Sequence, residues 1–496
     1  MSAPTDRLDH PDRPGSSDRP DADLRTDVLI LGAGAAGLMA AVAAGESART
    51  AGRRTRVLVV EKNRQAGIKV LVCGGGRGNL TNAGDRAELL AKFGRDGRWL
   101  SDAFDRLDNA ATCDFFAGLG VPTKTEADGR IFPVSDKARD IVDALVGRAD
   151  ELGVEIVTGY AATELTVHGG RVTGAVLVEA DTPVPGASDG KIPAKWRRFD
   201  PATWSHTRAQ SSAAELAGRR ERERLTVSAG AVILAVGGSS YVRMGTTGDG
   251  YDMCRRLGVT VVEPRPAVVP LITVEQWGPA LAGVAVEDAA VAIDLPKHRK
   301  SPSRGDLLFT HFGLSGPAAL NLSDVVALLL SQGTSPVPLR LDLVPSQSAE
   351  QLDAWLRSAA STDGKKQAKT LLGRSVPERL AECLLAQSGA AAGVTAGQLP
   401  REARLRLVES LKGLRVGVHA TKGMAQAMVT AGGVPVREVD PRTMESRKVA
   451  RLYLAGEMLD LTGPSGGYNL QIAWSTGWVA GECAERAVSA AGEGRG

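Results

Sequence analysis

Gly32-Ala33-Gly34-Ala35-Ala36-Gly37 is a GxGxxG string placed between the apolar run Asp27–Leu31 and a stretch of small residues, Leu38–Ala44. Strand, glycine turn and helix in that order form a phosphate cradle. The first glycine permits the tight turn, the second lets a pyrophosphate approach the backbone, and the third lets the helix close on the strand. The helix N-terminus then supplies unpaired N–H groups and the positive end of a dipole. A second buried run, Arg56–Val60, closes on Glu61, with Lys62 next to it. An acid there can accept hydrogen bonds from an adenosine ribose, so the adenosine diphosphate half of a dinucleotide is expected between Asp27 and Glu61.

Later segments favour FAD over NAD. Ala231–Val236 runs into Gly237 and Gly238, and Leu452–Leu454 runs through Ala455 into Gly456 and Glu457. The second arrangement sets a carboxylate for the ribityl chain. Gly463-Pro464-Ser465-Gly466-Gly467-Tyr468-Asn469-Leu470-Gln471 follows as a glycine loop opening a helix, and its Gly467, Tyr468 and Asn469 are candidates for the pyrimidine side of a flavin. A helix N-terminus aimed there stabilises the negative charge of the reduced ring. Lys69–Asn82 adds three glycines to Arg77, Asn79, Thr81 and Asn82. Gly75 and those four side chains are expected to face phosphates or flavin carbonyls.

These residues require an α/β, Rossmann-like FAD-binding (two-dinucleotide-binding) domain. The chain of 496 residues exceeds what one core usually fills, so further units are expected. We divide it into a disordered tail at 1–23 and the first part of the FAD-binding domain at 24–262, with a mobile insertion at about 181–225. A β-rich, barrel-like insert follows at 263–345, where short alternating strands recur. Residues 346–414 form a small helical insert of three expected helices, because Leu352, Trp355, Leu356, Leu380, Leu384, Leu405, Val408 and Leu411 repeat at helical spacing. Residues 415–496 complete the FAD-binding domain.

A net charge of +3 does not point to a polyanion partner by itself, although basic clusters stand at Lys195–Arg198, Arg219–Arg224 and Lys297–Arg304. Five cysteines without a CxxC pair indicate neither a disulfide framework nor a metal site, and no Cys-x4-Cys redox pair occurs. No apolar run approaches the roughly 18 residues of a membrane span. A cytoplasmic enzyme without metal is therefore expected, and the sequence leaves the oligomeric state open.

The blocks above, with Gly129–Ala138, Gly237–Asp249, Thr310–Pro317, Thr430–Val434 and Thr443–Ser446, resemble the BaiN/YhiN-type NAD(P)/FAD-dependent oxidoreductase family, the HI0933-like flavoproteins. The likeness covers most of residues 24–485. It implies FAD with NAD(P)H as the electron donor, and reduction of an activated C=C bond. The BaiN branch implies a small steroid-type acid as substrate, and the YhiN branch a ribosomal RNA uridine that becomes dihydrouridine. A flavin-bearing binding or scaffold protein is the alternative of another class. Hydride reduction of C=C needs a general acid. His311, in a Gly/Ser-rich loop, and Tyr468 are the first candidates, followed by Tyr241 and Cys73. Family members commonly carry cysteine after the loop arginine, where this chain has Gly78.

Overall fold

The computed structural model describes residues 23–180, 224–275 and 278–493. The expected tail at 1–23, apart from Asp23, and nearly all of the insertion at 181–225, including Lys195–Arg198, lie outside the described residues.

Val28–Leu31 and Val57–Glu61 are buried along their whole length, which is why they read as unbroken apolar runs rather than alternating ones. They are parallel neighbours in a seven-stranded sheet. From one edge the order is Glu155–Thr158, Val57–Glu61, Leu24–Leu31 and Leu225–Leu234, after which the hairpin Arg171–Glu179 and Tyr160–His168 continues antiparallel. Leu452–Leu454 pairs in parallel with the C-terminal half of Leu225–Leu234. The first strand begins at Leu24, earlier than its apolar run suggested, because its opening residues pair with Leu225–Leu234 while remaining partly exposed.

Register carries the functional consequence. Leu31 aligns with Val60 and with Leu234, and Leu234 aligns with Leu454. The parallel strands therefore end at one edge and deliver Gly32, Glu61, the Gly237 turn and Gly456 to a common crevice, the place where such sheets bind ligands.

Helix Ala35–Thr50 lies against the C-terminal helix Tyr468–Glu493. A Cβ on Gly477 would come 2.4 Å from the Ala36 carbonyl oxygen, and one on Gly481 2.1 Å from that of Ala40. Small residues at this spacing allow the two backbones to touch, so the last helix covers the first. Trp474, fully buried on the same helix, donates its indole N–H to the Leu80 carbonyl at 3.0 Å.

The β-rich insert is a closed six-stranded antiparallel barrel of Leu271–Thr273, Gly313–Ser315, Ser303–Thr310, Ala285–Ile293, Val337–Asp342 and Leu414–Thr421. Its last strand follows the helical stretch, so the barrel closes only after those helices have been threaded. They are Ala349–Thr362, Ala368–Leu372, Glu378–Gln387 and Arg401–Gly413. One more is present than periodicity suggested, since Ala368–Leu372 is too short to show a repeat. Leu352, Leu380, Leu407 and Leu411 join Leu339 and Leu341 of the barrel in one apolar core, separate from that of the sheet. The fold is thus a Rossmann-type domain with a mixed sheet, interrupted by a barrel and a helical insert. Among the described residues no helix is long and apolar enough to cross a membrane.

Candidate functional site

The glycine turn is built as its spacing demands. Gly32 has φ +96°, and a Cβ there would lie 2.5 Å from the Ala235 carbonyl oxygen. A Cβ on Gly37 would meet the Gly32 carbonyl oxygen at 1.8 Å. Gly34 is different, because its Cβ would meet nothing within 4 Å. The open space lies at the N-terminus of helix Ala35–Thr50, where no side chain caps the backbone. Free N–H groups beside an open glycine form a cradle for pyrophosphate.

Glu61 is buried against this turn. Its Oε2 accepts from the Ala33 N–H at 2.7 Å, and its Oε1 accepts from the Asn63 backbone N–H at 2.9 Å and side-chain amide at 2.7 Å. Burial pushes the carboxyl above its usual range, and the bonds from Asn63 and Ala33 pull it part of the way back. Lys62 turns to Asp249 at 2.6 Å and to the Thr247 hydroxyl.

Glu457 joins three segments. Its carboxylate accepts from the Thr430 N–H at 2.7 Å, the Ser240 hydroxyl at 2.7 Å and the Lys69 ammonium at 2.5 Å. Lys69 also donates to Ser240 at 2.6 Å. The Thr430 hydroxyl oxygen accepts from the Ser239 and Ser240 N–H groups at 2.9 and 3.0 Å, closing the Gly237–Gly238 turn. A side chain on Gly238 would strike it at 2.3 Å. Sequence reading placed Glu457 here but missed its partners Lys69, Ser240 and Thr430. The available signal was that all three sit in the glycine-rich blocks already singled out.

The two loops expected near a flavin are laced together. Asn82 donates to the Gly466 carbonyl at 3.1 Å, and the Thr81 hydroxyl donates to Gln471 at 2.6 Å. Asn79, with its amide oriented to satisfy both groups, donates to the Thr81 carbonyl and accepts from the Gly467 N–H at 3.0 Å. Gly467 has φ +98° and leaves no room for a Cβ against Thr81. Asn469 turns back to brace its own loop, bonding both N–H and C=O of Gly463. Gly75 is open, with φ +70° and no atom within 4 Å of a Cβ. Arg77 points elsewhere: its guanidinium bonds Asp136 at 2.7 Å and Glu126 at 2.5 Å and lies over the Phe132 ring at 4.0 Å.

A family model, the HI0933-like protein Rossmann domain, matches residues 26–182 and 202–483. The chain belongs to the HI0933-like family. Relatives of this HI0933-like protein include the 3-dehydro-bile acid delta(4,6)-reductase of Clostridium scindens, 30% identical over 92% of this chain and 98% of the relative. The ribosomal RNA dihydrouridine synthase of Escherichia coli is also 30% identical, over 94% and 99%. Among solved structures, the 3-ketosteroid-delta4-(5alpha)-dehydrogenase of Rhodococcus jostii superposes with a TM-score of 0.48 at 14% identity, covering 95% of this chain and 99% of that one. The HI0933-like chain is accordingly an FAD-dependent oxidoreductase.

The cradle at Gly34 fits a pyrophosphate, and the Ser239 hydroxyl oxygen, buried without a hydrogen-bond partner beside the Gly238 turn, leaves a polar group for a ligand. Proton-bearing groups are spread unequally. His311 is exposed in the turn between two barrel strands, edge-on to Phe312 at 4.9 Å, whose ring face carries the Lys422 ammonium at 3.9 Å. Tyr468 is buried against Phe93, and burial raises its phenol above the usual range, with Glu88 adding to the shift. Burial likewise pushes the Cys73 thiol up to about 11, Lys69 opposing and Glu457 assisting. Among the described residues no His, Cys, Asp and Glu cluster could hold a metal ion.

Proposed function

We propose that this oxidoreductase reduces an activated C=C bond of a small molecule, with NAD(P)H as the source of electrons. The observation that carries the reading is the common crevice in which Gly34, Glu61, Glu457 and the Asn79–Gly467 lacing meet the ends of the parallel strands. Bound FAD supplies hydride transfer. Gly32, Gly34, Ala35, Ala36 and Gly37 would hold its pyrophosphate, and Glu61 with Lys62 the adenosine ribose. Gly237, Gly456 and Glu457 would line the ribityl chain. Gly75, Asn79, Thr81, Asn82, Gly467, Tyr468 and Asn469 would border the ring. Arg77 acts at one remove, fixing that loop through Asp136 and Glu126. Of the candidates to hold the proton that C=C reduction consumes, His311 is exposed in a barrel turn and Tyr468 is buried against Phe93, so neither is favoured over Tyr241. Five free cysteines support a cytoplasmic setting.

The bile-acid reductase relative supports a small conjugated carbonyl acceptor. Equal identity to the dihydrouridine synthase supports a second reading, reduction of uridine in ribosomal RNA. Within the basic run Lys297–Arg304, however, Arg299 is paired with Asp294 at 2.7 Å and Arg304 with Asp288 at 2.5 Å, which weakens it as a phosphate-binding surface. Anaerobic mixing with NADH or NADPH should bleach the flavin at about 450 nm, and a conjugated enone should restore the colour. Absence of bleaching with either donor refutes the nicotinamide link and leaves the flavin-bearing binding protein standing. Loss of dihydrouridine from the ribosomal RNA of a deletion strain would select the second reading.

A further inference from the structure

Three of the few large apolar side chains left exposed stand around one polar cluster. Val72, Val242 and Met428 are 39, 45 and 41% exposed. Val72 precedes Cys73, Val242 follows Tyr241, and the Met428 carbonyl accepts from Ser240, whose hydroxyl also meets Lys69 and Glu457. Small-molecule sites combine mainly apolar walls with a few placed polar groups, and these three side chains beside Lys69, Ser240 and Glu457 bring both kinds together.

Tyr241 adjoins Val242 of that rim with φ +52°, in the left-handed region that a bulky residue seldom occupies. Neighbours hold it there. Its N–H donates to the Met424 carbonyl at 3.3 Å, its own carbonyl accepts from Met244 at 2.7 Å, and Thr246 bonds the preceding carbonyl of Ser240. Strain in a backbone persists where the surroundings impose it, often at functional sites. The phenol hydroxyl makes no hydrogen bond among the described residues.

Resting on the reading of C=C reduction, we propose that the acceptor enters at the Val72, Val242 and Met428 rim, that it is a flat, largely apolar conjugated carbonyl compound, and that Tyr241 gives it the proton. The alkene π bond breaks. One carbon takes the hydride from reduced FAD, which is oxidised, and the neighbouring carbon takes the proton as the Tyr241 O–H bond breaks. The tyrosinate regains a proton from water, and NAD(P)H restores the two electrons to the flavin. Burial, then the Cys73 sulfur, hold the phenol above its usual range, so at neutral pH it is present as the acid. Lys69 is a poorer donor, because Glu457 and Ser240 already occupy its ammonium.

The test uses full-length holoenzyme reduced anaerobically with dithionite and mixed with a Δ4-3-keto steroid, with return of flavin absorbance as the first readout. The second readout is the steroid Kd for oxidised enzyme from perturbation of the flavin spectrum. Tyr241→Phe, checked for full flavin content, should be reoxidised at least ~100-fold more slowly, in line with the loss of a general acid. Tyr241→His should recover part of the rate and lose it as pH rises through about 6.5. The double variant Val242→Asp, Met428→Asp should raise the Kd at least ~10-fold. Reoxidation of Tyr241→Phe within threefold of wild type overturns the donor, and an unchanged Kd in the double variant overturns the mouth. Wild type that binds the steroid but is not reoxidised refutes the C=C reading and the donor with it, whereas wild type that binds none refutes the mouth alone.

Discussion

The Lys69 ammonium lies 2.5 Å from the Glu457 carboxylate, and the two residues are 388 positions apart in the chain. Both are about one-fifth exposed, so the pair is partly screened, but Glu457 also ties Thr430 and Ser240 to the same point. Lys69→Met should cost about 1–3 kcal/mol in denaturant unfolding, the scale of a charge-assisted hydrogen bond. It should also loosen FAD, read from the ratio of flavin to protein absorbance after dialysis. An unchanged ratio would show that the ion pair does not shape the crevice.

Gly34 and Gly37 should fail in different ways. Open space at Gly34 admits a side chain in the free protein, so Gly34→Val should fold with a near-normal Tm yet purify without flavin, its methyls occupying the place of the pyrophosphate. Gly37→Val drives a Cβ into the Gly32 carbonyl and should leave little folded protein at all. Full flavin occupancy in Gly34→Val would refute the cradle.

Glu61 gives a pH signature. Its folded pKa is raised above the ordinary 4.5, so the protonated form is the one that folding favours. The stabilising contribution is complete below the unfolded value and is lost as pH rises through the higher folded value. In apoprotein, the Tm of Glu61→Gln relative to wild type should therefore climb as pH is raised above about 4.5. A constant difference from pH 4 to 8 would place the Glu61 carboxyl at its ordinary pKa. The same variant should hold FAD less tightly, since an amide accepts fewer hydrogen bonds from N–H and ribose groups than a carboxylate.

Gly78 follows Arg77 where the family resemblance implied a cysteine, and the backbone explains why a thiol is not simply exchangeable here. Its φ is +80°, and a Cβ would lie 2.7 Å from the Ile141 Cδ1 and 2.9 Å from the Ala138 Cα. Gly78→Cys should destabilise by about 1–3 kcal/mol, measured by chemical denaturation, from left-handed strain plus displacement of helix Ala138–Glu151. A variant as stable as wild type would mean that this loop is free to move.

Local order was enough for the dinucleotide turn. Gly32 is fixed by its positive φ, Gly37 by a backbone contact within the turn itself, and Glu61 by the end of the next strand, so their spacing alone describes the turn they build. The same holds for the all-apolar strands, because a strand covered on both faces leaves no polar alternation to misread. The helix-rich stretch was legible for a parallel reason: Leu352 and Leu356, Leu380 and Leu384, and Val408 and Leu411 recur on the buried face of their helices, whereas Leu405, expected in the same pattern, is exposed.

Tertiary structure decided what those residues touch. Nothing in Lys69, Ser240, Thr430 and Glu457 taken singly predicts that they converge, since ion pairs and hydroxyl bonds depend on position in space and not on separation along the chain. Arg77 shows the same limit in reverse: its type suits a phosphate, but Asp136, Glu126 and Phe132 reach it from the adjoining segment and fix it there. Closure of the barrel by Leu414–Thr421, after the intervening helices, likewise has no local signature. The sequence by itself determined the parallel strands, the glycine turn after the first and the acid at the end of the second. Only the packed chain determined which charges are already neutralised by neighbours, Lys69 by Glu457 and Arg77 by Asp136 and Glu126, because burial and pairing are properties of the fold and not of the residue.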